Sequence, residues 1–353
     1  MPQLFTFSQP FLLESGRNFS NLKLAYTTYG SLNKTGDNVV WVFHALTANS
    51  DPAEWWYGLV GDGCLLNPDD YFIVCVNMPG SCYGSSSPLD IEEETGKPYY
   101  HGFPLFTTRD MIRAYQHLKN SLGISKIHIG IGGSMGGQQL LEWAIEEPEL
   151  FQNIIPIATN AQHSPWGIAF NATQRFCIEQ DSSWKEAFET AGLEGMKTAR
   201  AIALLSYRNY HTYSQAQHGA TTATKELSID QQIFNAETYQ RYQGEKLAKR
   251  FNAFSYYGLS KGMDAHDVGR GRGSASEALQ NITAATLIIA IESDILFPVE
   301  ESRFLAQSIP GAVFHLIDST YGHDGFLLEF SQISEAIKSF LIGNFATNSR
   351  IKG

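Results

Sequence analysis

Basic charge is in short supply. Against 36 acidic side chains the chain carries 25 lysines and arginines, a formal net charge of −11 over 353 residues. No long basic run offsets this locally, which argues against a nucleic-acid partner and against attachment to an anionic membrane. Long hydrophobic runs are also missing. No stretch approaches the roughly 20 apolar residues of a membrane-spanning helix. The N-terminus, MPQLFTFSQPFLLESG, lacks both the basic and the apolar segments of a secretion signal. Cysteine is sparse: Cys64, Cys75, Cys82 and Cys177 show no C-x-x-C spacing, and Cys75 lies in an apolar run. Free buried thiols are therefore expected, not a disulfide framework, and the absences together point to a cytoplasmic protein. With no H-E-x-x-H and no clustered Cys/His set, neither a metal nor a bound cofactor is expected. No internal repeat and no low-complexity linker interrupts the chain.

What is present is an ordinary globular composition, 43% hydrophobic and 17% charged. The length suits one large α/β domain with an insertion, or two domains. Leu22, Leu24, Tyr26 and Thr28 alternate along LKLAYTTYG, as do Phe5 and Phe7 before them, which predicts an N-terminal antiparallel hairpin. VVWVFHAL, FIVCVN, KIHIGIG, NIIPIA, TLIIAI and VFHLI are short, nearly unbroken apolar runs, the pattern of parallel strands buried on both faces. Helical patterns lie between several of them, so the expected fold class is α/β, a mostly parallel sheet with helices on both faces. The alternation stops over residues 161–281, where polar helical patterns such as SWKEAFETAGLEGMKTARAIALLSYRNY dominate. This predicts a core of residues 1–160 and 282–353 with a helical cap, 161–281, inserted over the carboxyl ends of the strands.

The chemistry gathers at Gly132-Gly133-Ser134-Met135-Gly136. An isoleucine-rich run precedes it and a helical pattern follows, so G-x-S-x-G reads as the nucleophile elbow of an α/β-hydrolase fold. A serine hydroxyl needs a base, usually histidine, and the histidine needs a carboxylate to fix its tautomer. In this fold the chain order is serine, acid, histidine. Asp294 follows TLIIAI, and His323 follows VFHLI. Asp294 also suits a helix N-cap, with Glu292 as the alternative acid, and His44 ends a strand too early for the usual order. A developing oxyanion needs two donors. The Met135 N–H is one, and the Leu46 N–H, in HALTANS, is the candidate second. Gly130 and Gly132 resemble the start of a dinucleotide fingerprint, but Met135 stands where the third glycine is needed. VGRGRGS lacks a preceding strand and a P-loop lysine.

Taken in order, HALTANS, NMPGSCYGSSSP, GGSMGGQQLLEWAIEEPE, HDVGRGRGS, ESDILFP and GHDGFLLE resemble the homoserine O-acetyltransferase family. The resemblance implies an α/β-hydrolase fold with a helical cap, often dimeric through that cap. It implies small-molecule substrates: an acyl-CoA thioester, acetyl-CoA foremost, as co-substrate, and the hydroxyl of homoserine as acceptor, in methionine biosynthesis. It places Arg200 in the cap to hold the acceptor's carboxylate, with Tyr207 further along the helix and Arg208 as a competitor. It places Asp324, after the histidine, to hold the ammonium. The sequence departs from the family pattern at Pro79, Ser81 and Ser87, and at Ala48. These departures leave open acetyl or succinyl donor and homoserine or serine acceptor. An esterase or thioesterase with the same triad is the competing activity, and a binding module on an inactive hydrolase fold is the non-enzymatic alternative.

Overall fold

Each of the apolar runs becomes a strand of one sheet. The computed structural model describes residues 2–351, with side chains over 2–343. Its strands are β1 (Gln3–Phe7), β2 (Leu22–Tyr29), β3 (Val39–Phe43), β4 (Phe72–Val76), β5 (Ile127–Gly133), β6 (Phe151–Ile157), β7 (Ala285–Ile291) and β8 (Val313–Ile317), hydrogen-bonded in the order β1-β2-β4-β3-β5-β6-β7-β8. From β4 to β8 the pairs are parallel, whereas β2 meets β1 and β4 antiparallel. The N-terminal alternation does give an antiparallel pair, Gln3↔Tyr26 to Phe7↔Leu22. A second short pair, Phe11–Leu12 with Asn18–Phe19, replaces a tight turn between them.

β3 illustrates why the runs are unbroken. All five residues are buried, but they serve two cores. Val39, Trp41 and Phe43 pack with Tyr115 and Trp143 on one face, while Val40 and Val42 pack with Ile337 and Phe340 on the other. The first face is covered by α1 (Thr108–Ser121) and α2 (Met135–Glu146).

The strand-free interval holds α3 (Pro165–Gln180), α4 (Leu193–Tyr207), α5 (Tyr210–Ala216), α6 (Asn235–Ala248) and α7 (Ala253–Asp264), with α4 packed against both α3 and α6. The chain enters and leaves this cap at one seam: the His163 N–H donates to the His266 carbonyl (3.0 Å), and the Val268 N–H to the Ala161 carbonyl (3.0 Å). The stretch beyond belongs to the core by its contacts, although the boundary read from the sequence, 281, puts it in the cap. Arg270 pairs with Glu14 at 2.9 Å, and Arg272 reaches Glu142 at 2.6 Å and Glu146 at 2.5 Å on α2. Glu142 is 1% exposed and also takes Arg109 at 2.7 Å, so the GRGRG arginines are spent on a partly buried ion network centred on that carboxylate. The fold closes with α8 (Ala275–Leu279), α9 (Val299–Ser308) and α10 (Phe330–Ile351). No described helix is long and apolar enough to cross a membrane.

Two histidines are buried at the seam. His266 offers Nδ1 to the Thr108 hydroxyl (3.1 Å) and Nε2 to the Asn160 carbonyl (3.2 Å). Burial holds the pKa of both His163 and His266 down to about 3, so they fold as neutral rings. An unfolded histidine titrates near 6.5. Their folded values are depressed, so the stability they contribute is present above about pH 6.5 and is lost as pH falls toward 3. Stability is expected to drop by up to about 3 kcal/mol per pH unit below pH 6 from this pair. Denaturant midpoints at pH 7 and pH 5 measure the slope, and His266→Gln should flatten it.

Candidate active site

The elbow is a backbone event before it is a chemical one. Between β5 and α2, Ser134 takes φ 57° and ψ −128°, a conformation that costs about 1–3 kcal/mol for a residue with a side chain. The glycines on either side make it feasible. A Cβ on Gly136 would lie 2.2 Å from the Phe43 carbonyl oxygen, and one on Gly132 would lie 2.7 Å from the Gly136 backbone. The bend is pinned by the Ser134 N–H on the Ile157 carbonyl (3.0 Å) and by the Thr159 hydroxyl on the Ser134 carbonyl (2.8 Å). Ser134 is 5% exposed and Met135, the first residue of α2, is fully buried.

Asp294 and His323 meet at the ends of β7 and β8. His323 Nδ1 lies 2.6 Å from Asp294 Oδ2, and both side chains are buried. The other carboxylate oxygen, Oδ1, accepts the Leu296 and Phe297 N–H groups at 2.8 and 2.9 Å. Asp294 thus folds its own loop with one oxygen and orients the imidazole with the other. α9 starts from Pro298, so Asp294 is not that helix's N-cap, and Glu292 is exposed. With Nδ1 donating to the carboxylate, Nε2 is left as an acceptor. The ring is flanked by Phe297 at 5.1 Å, Phe326 at 5.1 Å and Tyr207 at 5.8 Å. Phe326 also touches the elbow: a Cβ on Gly133 would sit 2.3 Å from its ring. The serine turn and the histidine turn are therefore in direct contact.

The second donor loop approaches from β3. Phe43 is in register with Gly132, and the chain then turns through Ala45–Ala48, closed by the Ala48 N–H on the Ala45 carbonyl (3.0 Å). Among the described residues, neither the Leu46 nor the Met135 N–H has a loop or cap carbonyl as acceptor. Arg250 of the cap, for which the sequence carried no signal, donates Nη1 to the Thr47 carbonyl (2.6 Å) and to the Tyr83 hydroxyl. Met78 reaches the elbow through Gln139 Nε2 (3.2 Å), but Pro79 and Gly80 turn away to line a separate cavity of about 200 Å³ with Phe103, Trp184 and Phe254.

The cap brings its residues to the same place. The Arg200 guanidinium lies 5.3 Å from the centre of the Tyr207 ring, and Tyr207 neighbours His323. Tyr256, which the sequence reading missed, adds its hydroxyl to Gln174 Oε1 (2.5 Å) beside Tyr207. Asp324 is already engaged, which modifies its expected role as an ammonium holder. Arg208 Nε stands 3.0 Å from its Oδ2, an ion pair without hydrogen-bond alignment. Burial pushes the Asp324 carboxyl up, with the charges of Arg208, Arg200 and His323 pulling against it. Arg208, the competitor of Arg200, is thus committed to Asp324. Among the described residues Arg200 has no carboxylate within 4.0 Å.

Comparison with known proteins gives the family. Residues 38–330 match the alpha/beta hydrolase fold family. A homoserine O-acetyltransferase of Cyclobacterium marinum is 48% identical over 342 residues, covering 97% of this chain and 95% of its own. The chain belongs to the homoserine O-acetyltransferase family. A second member, from Chlorobium chlorochromatii, is 38% identical over 96% of this chain and 94% of its own. The crystal structure of the homoserine O-acetyltransferase from Staphylococcus aureus superposes with a TM-score of 0.79 at 28% identity, covering 97% of this chain and 95% of that one. Esterase E22 superposes equally fully, TM-score 0.86, at 24% identity and 97% and 100% coverage, which shows the shared fold. The family resemblance read from GGSMGG and HDVGRGRG therefore extends over nearly the whole chain.

Asp294→Asn keeps an oxygen for the Leu296 and Phe297 amides but can present an N–H to His323 Nδ1, favouring the wrong tautomer. The expected loss is about 10⁴-fold in kcat with little loss of stability. Steady-state turnover and a thermal melt on the same preparation check both halves.

Proposed function

We propose that this chain transfers an acetyl group from acetyl-CoA to the side-chain hydroxyl of homoserine, through an acetyl-Ser134 intermediate, as a step in methionine biosynthesis. His323 Nε2 takes the Ser134 proton as Oγ attacks the thioester carbonyl. The Leu46 and Met135 N–H groups receive the oxyanion, each donor being worth about 10²–10³ in rate. CoA leaves as the free thiol, its sulfur taking that proton from His323 Nε2, so that the imidazole is neutral again. The homoserine hydroxyl then gives its proton to His323 and attacks the acyl carbon, which releases Ser134. Asp294 keeps the imidazole in one tautomer through both halves.

The observation that carries transfer over hydrolysis is the free cation beside the base. Arg200, laid over Tyr207 and without a carboxylate partner among the described residues, offers the acceptor's carboxylate a charge-assisted site. The carboxyl of Asp324, shared with Arg208, supplies the complementary side for the ammonium. Pairing of two copies through the cap would cover exposed apolar side chains there, Tyr210 at 77% and Ile229 at 74% among them. A cytoplasmic location fits the donor.

CoA release from acetyl-CoA is expected to depend on homoserine. Fast release indifferent to homoserine would instead make the chain a thioesterase, and a grid of homoserine and serine against acetyl-CoA and succinyl-CoA assigns donor and acceptor. Arg200→Ala should raise the KM for homoserine by about 10²-fold or more while leaving acylation of Ser134 by acetyl-CoA nearly intact. A change confined to the acetyl-CoA kinetics would show that Arg200 serves the donor.

A further inference from the structure

One buried titratable side chain beside the elbow has no part in the triad. His44 follows β3 directly and is fully buried, and both of its ring nitrogens are taken. Nε2 lies 3.1 Å from the backbone nitrogen of Met78, and Nδ1 lies 2.9 Å from the Ala45 carbonyl oxygen. The Met78 N–H can only donate, so Nε2 is the acceptor and carries no proton. The proton of the neutral ring is then on Nδ1, which donates to the Ala45 carbonyl. Burial supports the neutral form, holding this imidazole down to about 4.

The bond matters because of what shares that carbonyl's peptide unit. The Ala45 C=O and the Leu46 N–H belong to one planar group and point in opposite directions, so holding one aims the other. We infer that His44 is a positioning residue which, by donating Nδ1–H to the Ala45 carbonyl, aims the Leu46 N–H at the oxyanion. The inference rests on the acyl-serine reading of the site. Three further contacts agree with it. The Ala48 N–H donates to the same carbonyl at 3.0 Å, which clamps the peptide from a second side. The His44 carbonyl faces the start of α2, where Gln139 Nε2 reaches it at 3.4 Å and the Met135 carbonyl at 3.1 Å, so both donor peptides share one scaffold. Met78, the acceptor's partner, also contacts Gln139. An apolar side chain would fill the same volume, but it would leave the Met78 N–H without its acceptor and the Ala45–Leu46 peptide held only by the turn. With both nitrogens engaged, His44 is unavailable as a base for Ser134.

Two substitutions separate the two bonds. An asparagine amide can place its nitrogen where Nδ1 stands, and a glutamine amide can place its oxygen where Nε2 stands. His44→Asn therefore keeps a donor for Ala45 and loses the acceptor for Met78, while His44→Gln does the reverse. The readout is the kcat and KM of p-nitrophenyl acetate turnover, counted per site labelled by a fluorophosphonate so that only folded enzyme contributes, with Ser134→Ala as control. Expected is a fall of about 10²-fold in kcat for His44→Gln with KM little changed, and retention within about tenfold for His44→Asn. Equal kcat in the two variants, with Ser134→Ala inactive, would overturn the role of His44 and leave the acyl-serine reading standing. Wild-type turnover in Ser134→Ala would overturn both.

Discussion

The close approach of β3 to the start of α2 is the constraint on which the site depends. Ser134 sits in a strained conformation, and the strain is tolerated because Gly132 and Gly136 leave no side chains between the elbow and Phe43. That contact requires β3 and β5 to be parallel neighbours, with β6 on the other side to receive the Ser134 N–H. The same contact delivers the β3 loop to the elbow, so the turn of Ser134 and the nearness of the Leu46 loop are consequences of one strand arrangement. The order of the sheet is thus a catalytic matter as well as a folding one.

Charges around the base are apportioned with little redundancy. Asp294 is divided between its loop and His323, and Asp324 between burial and Arg208. Arg200, laid over the Tyr207 ring, has no carboxylate within 4.0 Å among the described residues. Esterases share the fold at TM-scores above 0.8, so the sheet and helices do not distinguish water from an amino-acid hydroxyl. The distinction, in the proposed reading, is made by the polar residues that the cap lowers onto a common hydrolase floor.

Much of this was legible in the chain because it is local. Strands buried on both faces leave unbroken apolar runs, and a serine, an acid and a histidine, each placed just after a strand, declare themselves by order. What was not legible depends on partners far apart in sequence. The GRGRG arginines have no local strand to make them a phosphate cradle, and only the folded chain reveals Glu14, Glu142 and Glu146 as their counterions. For the same reason the cap's second edge leaves no mark in the sequence: a glycine- and arginine-rich stretch looks like loop until its ion pairs fasten it to α2. The Arg208–Asp324 pair and the Arg250–Thr47 bond each join the cap to the core across long separations and leave no spacing to read. His44 was visible as a strand-terminal histidine, but its purpose lies in two backbone groups that no side-chain pattern encodes.

The seam at Ala161–His163 and His266–Val268 has a further consequence. Both crossings of the cap lie side by side, held to each other by main-chain bonds. None of the eight strands of the sheet lies between the two crossings, so the segment they bracket carries no part of the core register. In the proposed reading, the cap's share of the acceptor site, Arg200, therefore lies in a different segment of the chain from Ser134, Asp294 and His323, and related enzymes can diverge in what they acylate through that segment while inheriting the same hydrolase floor.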